Sequence, residues 1–312
     1  MSFDKSNARI VFMGTPMIAA VSLRGLLEEG YRVVGVITNP DKPTGRKKIL
    51  TPSPVKQVAL EYGIPVFQPE KIRLDYAFLP PLEPDVIVTL AYGQIVPQEV
   101  LDCPKRGCIN LHGSLLPKYR GAAPMQSAIL EGEKVTGVTL MEMVAKMDAG
   151  KMFDTISFPI LDEDDYGSVY EKMSLAAKEL ILKDLLPYLN GELPGVEQDE
   201  SQVTFAAKIK PEDEHLDLNL DAASFLRHIK ALSPTPGGYL LYEGTKFKIL
   251  KASLGEKTSL PSGTLYKENK KLCLALSGEA LRLDLVQPEG KKPMDGASFL
   301  NGHPESSGKL LA

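Results

Sequence analysis

The sequence predicts an α/β protein: a Rossmann-like, mostly parallel sheet domain followed by a smaller OB-like β-barrel domain. Three observations carry that expectation. Over residues 1–189 short apolar runs alternate with helical stripes, the pattern of strands covered on both faces by crossover helices. Beyond residue 207, strand-like runs recur about every 8–12 residues with turn residues between them, the texture of a small barrel. Between the two, residues 190–207 open with NGELPGVEQDE, polar and marked by Gly and Pro, which reads as a linker. A length of 312 residues suits two domains.

The elements follow in order. RIVFM (9–13) is a short apolar run, as a buried parallel strand requires. Thr15 and Pro16 read as an N-cap and a proline at the first helical position. Ala20, Leu23, Leu26 and Leu27 then form the apolar stripe of a helix over 17–29. RVVGVI (32–37) is a second strand and Pro54–Tyr62 a second helix. VIVTL (86–90) and CINLH (108–112) are further strands, and a helix is expected over 124–131. Two strands, 137–143 and 151–160, flank a turn and are expected to pair antiparallel. A long helix covers 167–189. After the linker comes a helix over 221–232, with Ala222, Phe225, Leu226 and Ile229 on one side. Strand-like runs occupy 239–253, 263–276 and 279–290, with turns at Glu243-Gly244, Glu268-Asn269 and Ser277-Gly278. The expected division is therefore 1–189, a linker over 190–207, and 208–312.

Composition limits the function classes. Hydrophobic residues make up 43% and charged residues 24%, so neither disorder nor a fibrous repeat describes the chain. No apolar run approaches the ~20 residues that span a bilayer. The N-terminal MSFDKSNARIVFMG has no apolar h-region before a cleavage site and is not expected to be a secretory signal. Cys103, Cys108 and Cys273, with no CxxC, argue for reduced thiols in a cytoplasmic protein. His112, His215, His228 and His303 cluster neither with one another nor around the cysteines, so no metal site is expected. The Gly14-Thr15-Pro16 turn lacks GxGxxG and no P-loop occurs, which weakens NAD- or ATP-dependent readings.

The net charge of −4 hides an uneven distribution. Residues 1–207 hold 21 basic and 27 acidic groups, 208–312 hold 15 and 13, and 243–292 hold 10 and 6. A second basic surplus lies at Lys42, Arg46, Lys47 and Lys48 against the single Asp41. Each region reads either as a solvated face or as a place where a polyanion binds. Pro40, Pro43, Gly45 and Pro52 are expected to block a continuous helix or strand, leaving residues 39–52 an exposed loop.

The chemistry concentrates in CINLHGSLLPKYRGAAP (108–124). Asn110 and His112 are two apart on a strand, so both side chains project to the same side of the sheet. His112 ends that strand at its carboxyl edge, where open α/β sheets bind ligands. Gly113, Pro117, Gly121 and Pro124 imply a loop of fixed shape. Asp148, in KMDAGK, falls in the turn between two expected strands. An Asn, a His and an Asp brought together at strand ends suit acyl transfer: an amide donor, a donor or proton shuttle, and a base or orienting carboxylate. With no GxSxG there is no support for a covalent acyl-enzyme, which leaves direct transfer between two bound substrates.

NLHGSLLPKYRGAAP resembles the signature of the folate-dependent formyltransferases, and KMDAG resembles the matching aspartate turn. MGTP (13–16), NPDKPTGRKK (39–48), SPVKQVA (53–59), PVFQPEKIR (65–73), AYGQIVP (91–97), AAKIKPEDEHLDL (206–218) and GKKPMDGASFLNG (290–302) extend the resemblance over nearly the whole chain. They are most similar to the branch of that family that acts on methionyl-tRNA. The resemblance implies that Asn110, His112 and Asp148 are catalytic and that Ser114, Leu115, Leu116 and Pro117 contact folate. It implies tRNA contacts at Arg46, Lys47 and Lys48, and an OB-like second domain that helps hold tRNA. The donor it implies is 10-formyltetrahydrofolate, used as a substrate and without a metal. The acceptor is the α-amino group of initiator methionyl-tRNA, formylated through a tetrahedral intermediate for translation initiation. A monomer with no membrane partner is expected. A related enzyme formylating an amino-sugar nucleotide shares the catalytic loop but needs no basic loop, so GRKK at 45–48 and the basic barrel favour tRNA. The intact Asn110, His112 and Asp148 argue against a non-catalytic RNA-binding protein.

Overall fold

The computed structural model describes residues 2–45 and 47–312, so the expected tRNA contact Arg46 lies outside the described residues. The chain divides into two compact units, one taking in residues up to 124, 135–159 and 170–206, the other 125–134, 160–169 and 207–312. In chain order the elements up to residue 206 are β1 (Ile10–Gly14), α1 (Met17–Glu28), β2 (Val33–Ile37), β3 (Lys42–Thr44), β4 (Ile49–Thr51), α2 (Pro54–Glu61), β5 (Val66–Phe67), β6 (Val86–Leu90), α3 (Gln98–Leu101), β7 (Cys108–His112), β8 (Arg120–Gly121), α4 (Pro124–Leu130), β9 (Val135–Glu142), β10 (Met152–Pro159), α5 (Tyr166–Leu189) and β11 (Phe205–Ala206).

The first unit is built on a seven-stranded sheet of order β10-β9-β7-β6-β1-β2-β5. β5, β2, β1, β6 and β7 run parallel, β9 runs antiparallel to β7, and β10 runs antiparallel to β9. β1 and β6 are buried at every residue, which is why they read as unbroken apolar runs rather than alternating ones. Val11, Met13, Ile37 and Ile87 pack on one face with Ile72, Leu79 and Tyr92. The strand order reverses between β1 and β6, and a sheet of this kind opens its ligand crevice at that point, beyond the carboxyl ends. β7, next to β6, ends at the same edge.

Two local expectations in this unit give way. α1 begins at Met17, with Pro16 in the cap position and no side-chain cap. The Thr15 hydroxyl is engaged elsewhere: it accepts from the Asn39 backbone N at 3.3 Å and from its Nδ2 at 3.1 Å, tying the end of β1 to that of β2. The described residues of 39–52 are largely exposed, but they are not a simple loop. β3 and β4 form an antiparallel hairpin with Lys42 opposite Thr51 and Thr44 opposite Ile49. A two-stranded ribbon tolerates Pro43 because its missing N–H can lie on the open side. Gly45 and Lys48 adopt left-handed φ values of +68° and +49° at the reversal.

The second unit contains α6 (Ala222–Leu232), β12 (Tyr239–Tyr242), β13 (Thr245–Lys257), β14 (Leu265–Glu268), β15 (Lys271–Ala275), β16 (Glu279–Pro288), β17 (Met294–Asp295) and α7 (Gly296–Gly302). Its sheet is antiparallel throughout, in the order β12-β13-β16-β15-β14 with β17 on β16. Register shifts along β13 bend that long strand. The core gathers Phe225 and Ile229 from α6, Phe299 from α7, and Phe247, Leu274 and Leu283 from the sheet. Glu243 and Gly244, at φ +49° and +79°, make the expected tight turn. The next hairpin turns one residue later than expected, at Asn269 and Lys270 (φ +48° and +64°), because asparagine tolerates the left-handed region better than glutamate. α7 has no counterpart in the sequence reading. Asp295 caps it by accepting from Ser298 N at 2.8 Å, and Phe299 and Leu300 bury its inner side.

Candidate active site

β7 places Asn110 opposite Thr89 of β6 and Met141 of β9, and His112 opposite Thr139 of β9. Asn110 is half-buried, and its side-chain amide has no hydrogen-bond partner among the described residues. His112 is only 5% exposed. Its Nε2 lies 2.9 Å from the Tyr119 carbonyl oxygen. A carbonyl only accepts, so Nε2 carries the proton, and in the neutral ring Nδ1 is a bare acceptor. Nδ1 faces Asp148 Oδ2 across 3.7 Å. Two acceptors at that separation leave room for one N–H group bonded to both.

Asp148 lies in the turn between β9 and β10, as expected, with a left-handed φ of +48°. That conformation costs a non-glycine residue of order 1 kcal/mol. Its Oδ2 also accepts from Gly121 N at 2.8 Å. The turn closes tightly on β9: a Cβ at Gly150 would stand 2.1 Å from the Glu142 carbonyl oxygen. Asn110, His112 and Asp148 are therefore assembled at one sheet edge, with His112 and Asp148 in direct apposition.

The loop after β7 is internally bonded. Ser114 Oγ donates to Lys118 O at 2.7 Å, Thr139 Oγ1 donates to Ser114 O at 2.7 Å, and Leu116 N donates to Thr139 Oγ1 at 3.2 Å. Ser114 and Leu116 are buried, while Leu115 and Pro117 are half-buried. Of the four expected folate contacts, Leu115 and Pro117 thus keep accessible surface. Lys47 and Lys48 are exposed and have no ion-pair partner among the described residues. The single nearby carboxylate, Asp41, is held by Lys56 and Gln68, each at 2.7 Å, at the base of the hairpin.

Sequence reasoning missed what braces this loop. Arg120 is wholly buried and donates from Nε and Nη2 to Gln198 Oε1, at 3.0 and 2.8 Å, and from Nη2 to Glu200 Oε1 at 2.9 Å. Gln198 Nε2 donates to the carbonyls of Asp148 and Gly150, both at 2.8 Å. Thr204 accepts from Tyr119 N through its hydroxyl and from Arg120 N through its carbonyl, each at 2.9 Å, and β8 pairs parallel with β11. The available signal was one arginine inside a loop otherwise dominated by small residues, RGAAP.

Cys103, Cys108 and Cys273 are free, and burial pushes all three thiols up, away from the thiolate. Among the described residues no group of three or more His, Cys, Asp or Glu side chains is placed to hold a metal ion. Nor is any helix there long and apolar enough to cross a membrane.

Residues 8–185 match the formyl transferase family, and residues 208–304 match the formyl transferase C-terminal domain. The methionyl-tRNA formyltransferase of Lactobacillus gasseri is 45% identical over 297 residues, 94% of this chain and 95% of that protein. The methionyl-tRNA formyltransferase of Bacillus subtilis is 44% identical over 308 residues, 97% of each chain. Among solved structures, HypX from Aquifex aeolicus in complex with tetrahydrofolic acid superposes with a TM-score of 0.68 at 19% identity, covering 97% of this chain and 48% of that one. The chain therefore spans about half the length of HypX. An N-formyltransferase from Helicobacter canadensis, in complex with folinic acid and dTDP-3-aminofucose, superposes with a TM-score of 0.68 at 20% identity, covering 90% and 99%. At such identities the two structures establish the fold.

Proposed function

The chain belongs to the formyl transferase family, and from that premise we propose that it moves a formyl group from 10-formyltetrahydrofolate to the α-amino group of initiator methionyl-tRNA. The single observation that carries the chemistry is the pair of facing acceptors, His112 Nδ1 and Asp148 Oδ2, 3.7 Å apart, at the strand end that also carries Asn110. An attacking amine must be neutral, and an α-amino group has a pKa of ~7.7–8.0 in water, so modest help suffices at neutral pH. The amine N–H is held between Nδ1 and Oδ2, which aims the nitrogen lone pair at the formyl carbon. As the C–N bond forms, the pair takes up the amine proton. Charge develops on the formyl oxygen, where Asn110 Nδ2 donates. Because Nε2–H is committed to Tyr119 O, His112 adds a donor of its own only at Nδ1, after that proton transfer. The proton passes to N10 as the C–N10 bond breaks, so no charge is left behind.

The acceptor is supported by similarity along almost the whole chain to relatives named for methionyl-tRNA. Unpaired Lys47 and Lys48 on the β3–β4 hairpin give that substrate a phosphate-binding surface, with Arg46 between Gly45 and Lys47 in the same segment. Exposed Lys251, Lys257, Lys267, Lys271, Lys291 and Lys292 give the second unit a similar one. In this reading 1–189 is the catalytic domain, 190–207 the connection and 208–312 a tRNA-binding domain. Leu115 and Pro117 face the folate, with Ser114 and Leu116 fixing the loop beneath them. All three reacting side chains come from one chain, so a monomer is sufficient, working in the cytoplasm, where charged tRNA is consumed. The test is to supply 10-formyltetrahydrofolate with either initiator methionyl-tRNA or an amino-sugar nucleotide and follow formylated product. Formylmethionyl-tRNA is expected. Product from the sugar nucleotide alone would overturn the acceptor, and no product from either would overturn the enzymatic reading.

A further inference from the structure

We propose that Gln198 is a positioning residue for formyl transfer: it holds the Asp148 turn at the right distance from His112, and Arg120 acts through it. The proposal rests on the reading of Asn110, His112 and Asp148 as the reacting groups.

Gln198 is 8% exposed and all of its hydrogen-bonding capacity is used. The two N–H groups go to the carbonyls of Asp148 and Gly150, and the oxygen receives two bonds from Arg120. The amide cannot flip, since its nitrogen end meets two acceptors and its oxygen end a guanidinium. Those two carbonyls bracket Ala149 at the tightest part of the turn. The backbone closes the neck of the turn with Glu142 N to Lys151 O at 2.9 Å, while around Asp148 it supplies a long bond, Ala149 N to Lys146 O at 3.3 Å. Gln198 thus ties the backbone on both sides of Ala149, as the Gly121 N–H ties the Asp148 carboxylate.

The same segment also sets the other half of the site. Thr204 and Ala206 fix residues 119–122 by backbone and hydroxyl bonds. That stretch presents the Tyr119 carbonyl to His112 and the Gly121 N–H to Asp148. Residues 198–206 therefore determine both sides of the 3.7 Å gap. A donor must reach both acceptors at once, and displacement by ~1 Å is enough to cost about hundredfold in rate.

Arg120 supports this account. Its guanidinium has no exposed surface, and Nη1 finds no hydrogen-bond partner among the described residues. A buried, incompletely bonded charge is a poor source of stability, and an apolar side chain packs such a position at less cost. Its presence is explained if its task is to fix the direction of the Gln198 amide.

The experiment measures single-turnover formyl transfer with saturating enzyme in excess over methionyl-tRNA and saturating formyl donor, with kcat and KM for both substrates alongside, in Gln198→Ala and Gln198→Glu. The glutamate keeps the bond to Arg120 and removes both donors to the turn, so it serves if the alanine variant does not fold. With folded enzyme saturating, a smaller folded fraction leaves the rate constant unchanged, whereas a displaced Asp148 lowers it; the folded fraction of each variant is read separately by urea unfolding. We expect the rate constant to fall about ten- to hundredfold with KM within threefold of wild type. A rate constant unchanged at saturating folded enzyme, with any loss of activity accounted for by the folded fraction, would overturn the proposal. Asn110→Ala is run in parallel. If that variant is also unimpaired, the active-site reading itself fails; if it is impaired while both Gln198 variants are not, only the role of Gln198 fails.

Discussion

Replacing Gly121 by alanine perturbs the loop at the point where backbone meets backbone. Gly121 has φ +121°, and a Cβ there would stand 2.5 Å from the Ala206 carbonyl oxygen and 3.3 Å from its carbon. Neither atom belongs to a side chain that could rotate away. Holding alanine at such a φ costs ~1–3 kcal/mol. Relieving the contact separates β8 from β11 and breaks the 2.9 Å bond from Ala122 N to Ala206 O, worth ~1 kcal/mol. The sum, about 2–4 kcal/mol, is a large share of the ~5–15 kcal/mol that holds a domain folded. Activity should suffer separately. Gly121 N donates to Asp148 Oδ2 at 2.8 Å, so a loop shift near 1 Å moves the carboxylate that faces His112, with a loss of about hundredfold. The assay pairs urea unfolding with kcat for formyl transfer, measured where the variant is still folded. A lower urea midpoint and a much lower kcat are expected together. A wild-type midpoint would refute the steric argument, and a wild-type kcat in a destabilised variant would refute the link from this loop to Asp148.

Asn110→Ala should lower kcat by about 10²–10³ with little change in KM, since its amide acts on charge that appears only as the bond forms; a wild-type kcat would exclude it as the oxyanion donor. Asp184 of α5 is buried and one carboxyl oxygen has no hydrogen-bond partner among the described residues, with Asp154 and Lys183 its charged neighbours; burial, reinforced by Asp154, pushes its pKa up to about 6. The folded pKa lies above the ordinary value, so its favourable contribution is complete below about pH 4 and is lost as pH rises through 6. Asp184→Asn should therefore raise the urea midpoint at pH 8 and leave it nearly unchanged at pH 4. Equal midpoints of variant and wild type at pH 8 would contradict this.

The parts of the fold visible in the sequence are those that follow a period. β1, β6 and β7 appear as apolar runs because both faces are covered, and β7 carries Asn110 and His112 two residues apart, which already places them together. The Asp148 turn shows between two such runs. What holds these groups in register has no period. Gln198 meets the Asp148 and Gly150 carbonyls across about 50 residues, and Gly121 is required by an oxygen on Ala206, far along the chain. The Thr15 hydroxyl looks like a helix cap until Asn39 is found to use it. A stretch such as 190–207, rich in Gly, Pro and acidic residues, fits a solvated tether equally well as a brace whose polar groups all find partners. Only tertiary pairing separates the two. Here the pairing of Gln198, Thr204 and Ala206 makes the second half of that stretch a wall of the site. It sets the Tyr119 carbonyl on one side of the His112–Asp148 pair and the Gly121 N–H on the other. Mutational sensitivity should accordingly rise along this stretch, low near Gly191 and high from Gln198 onward.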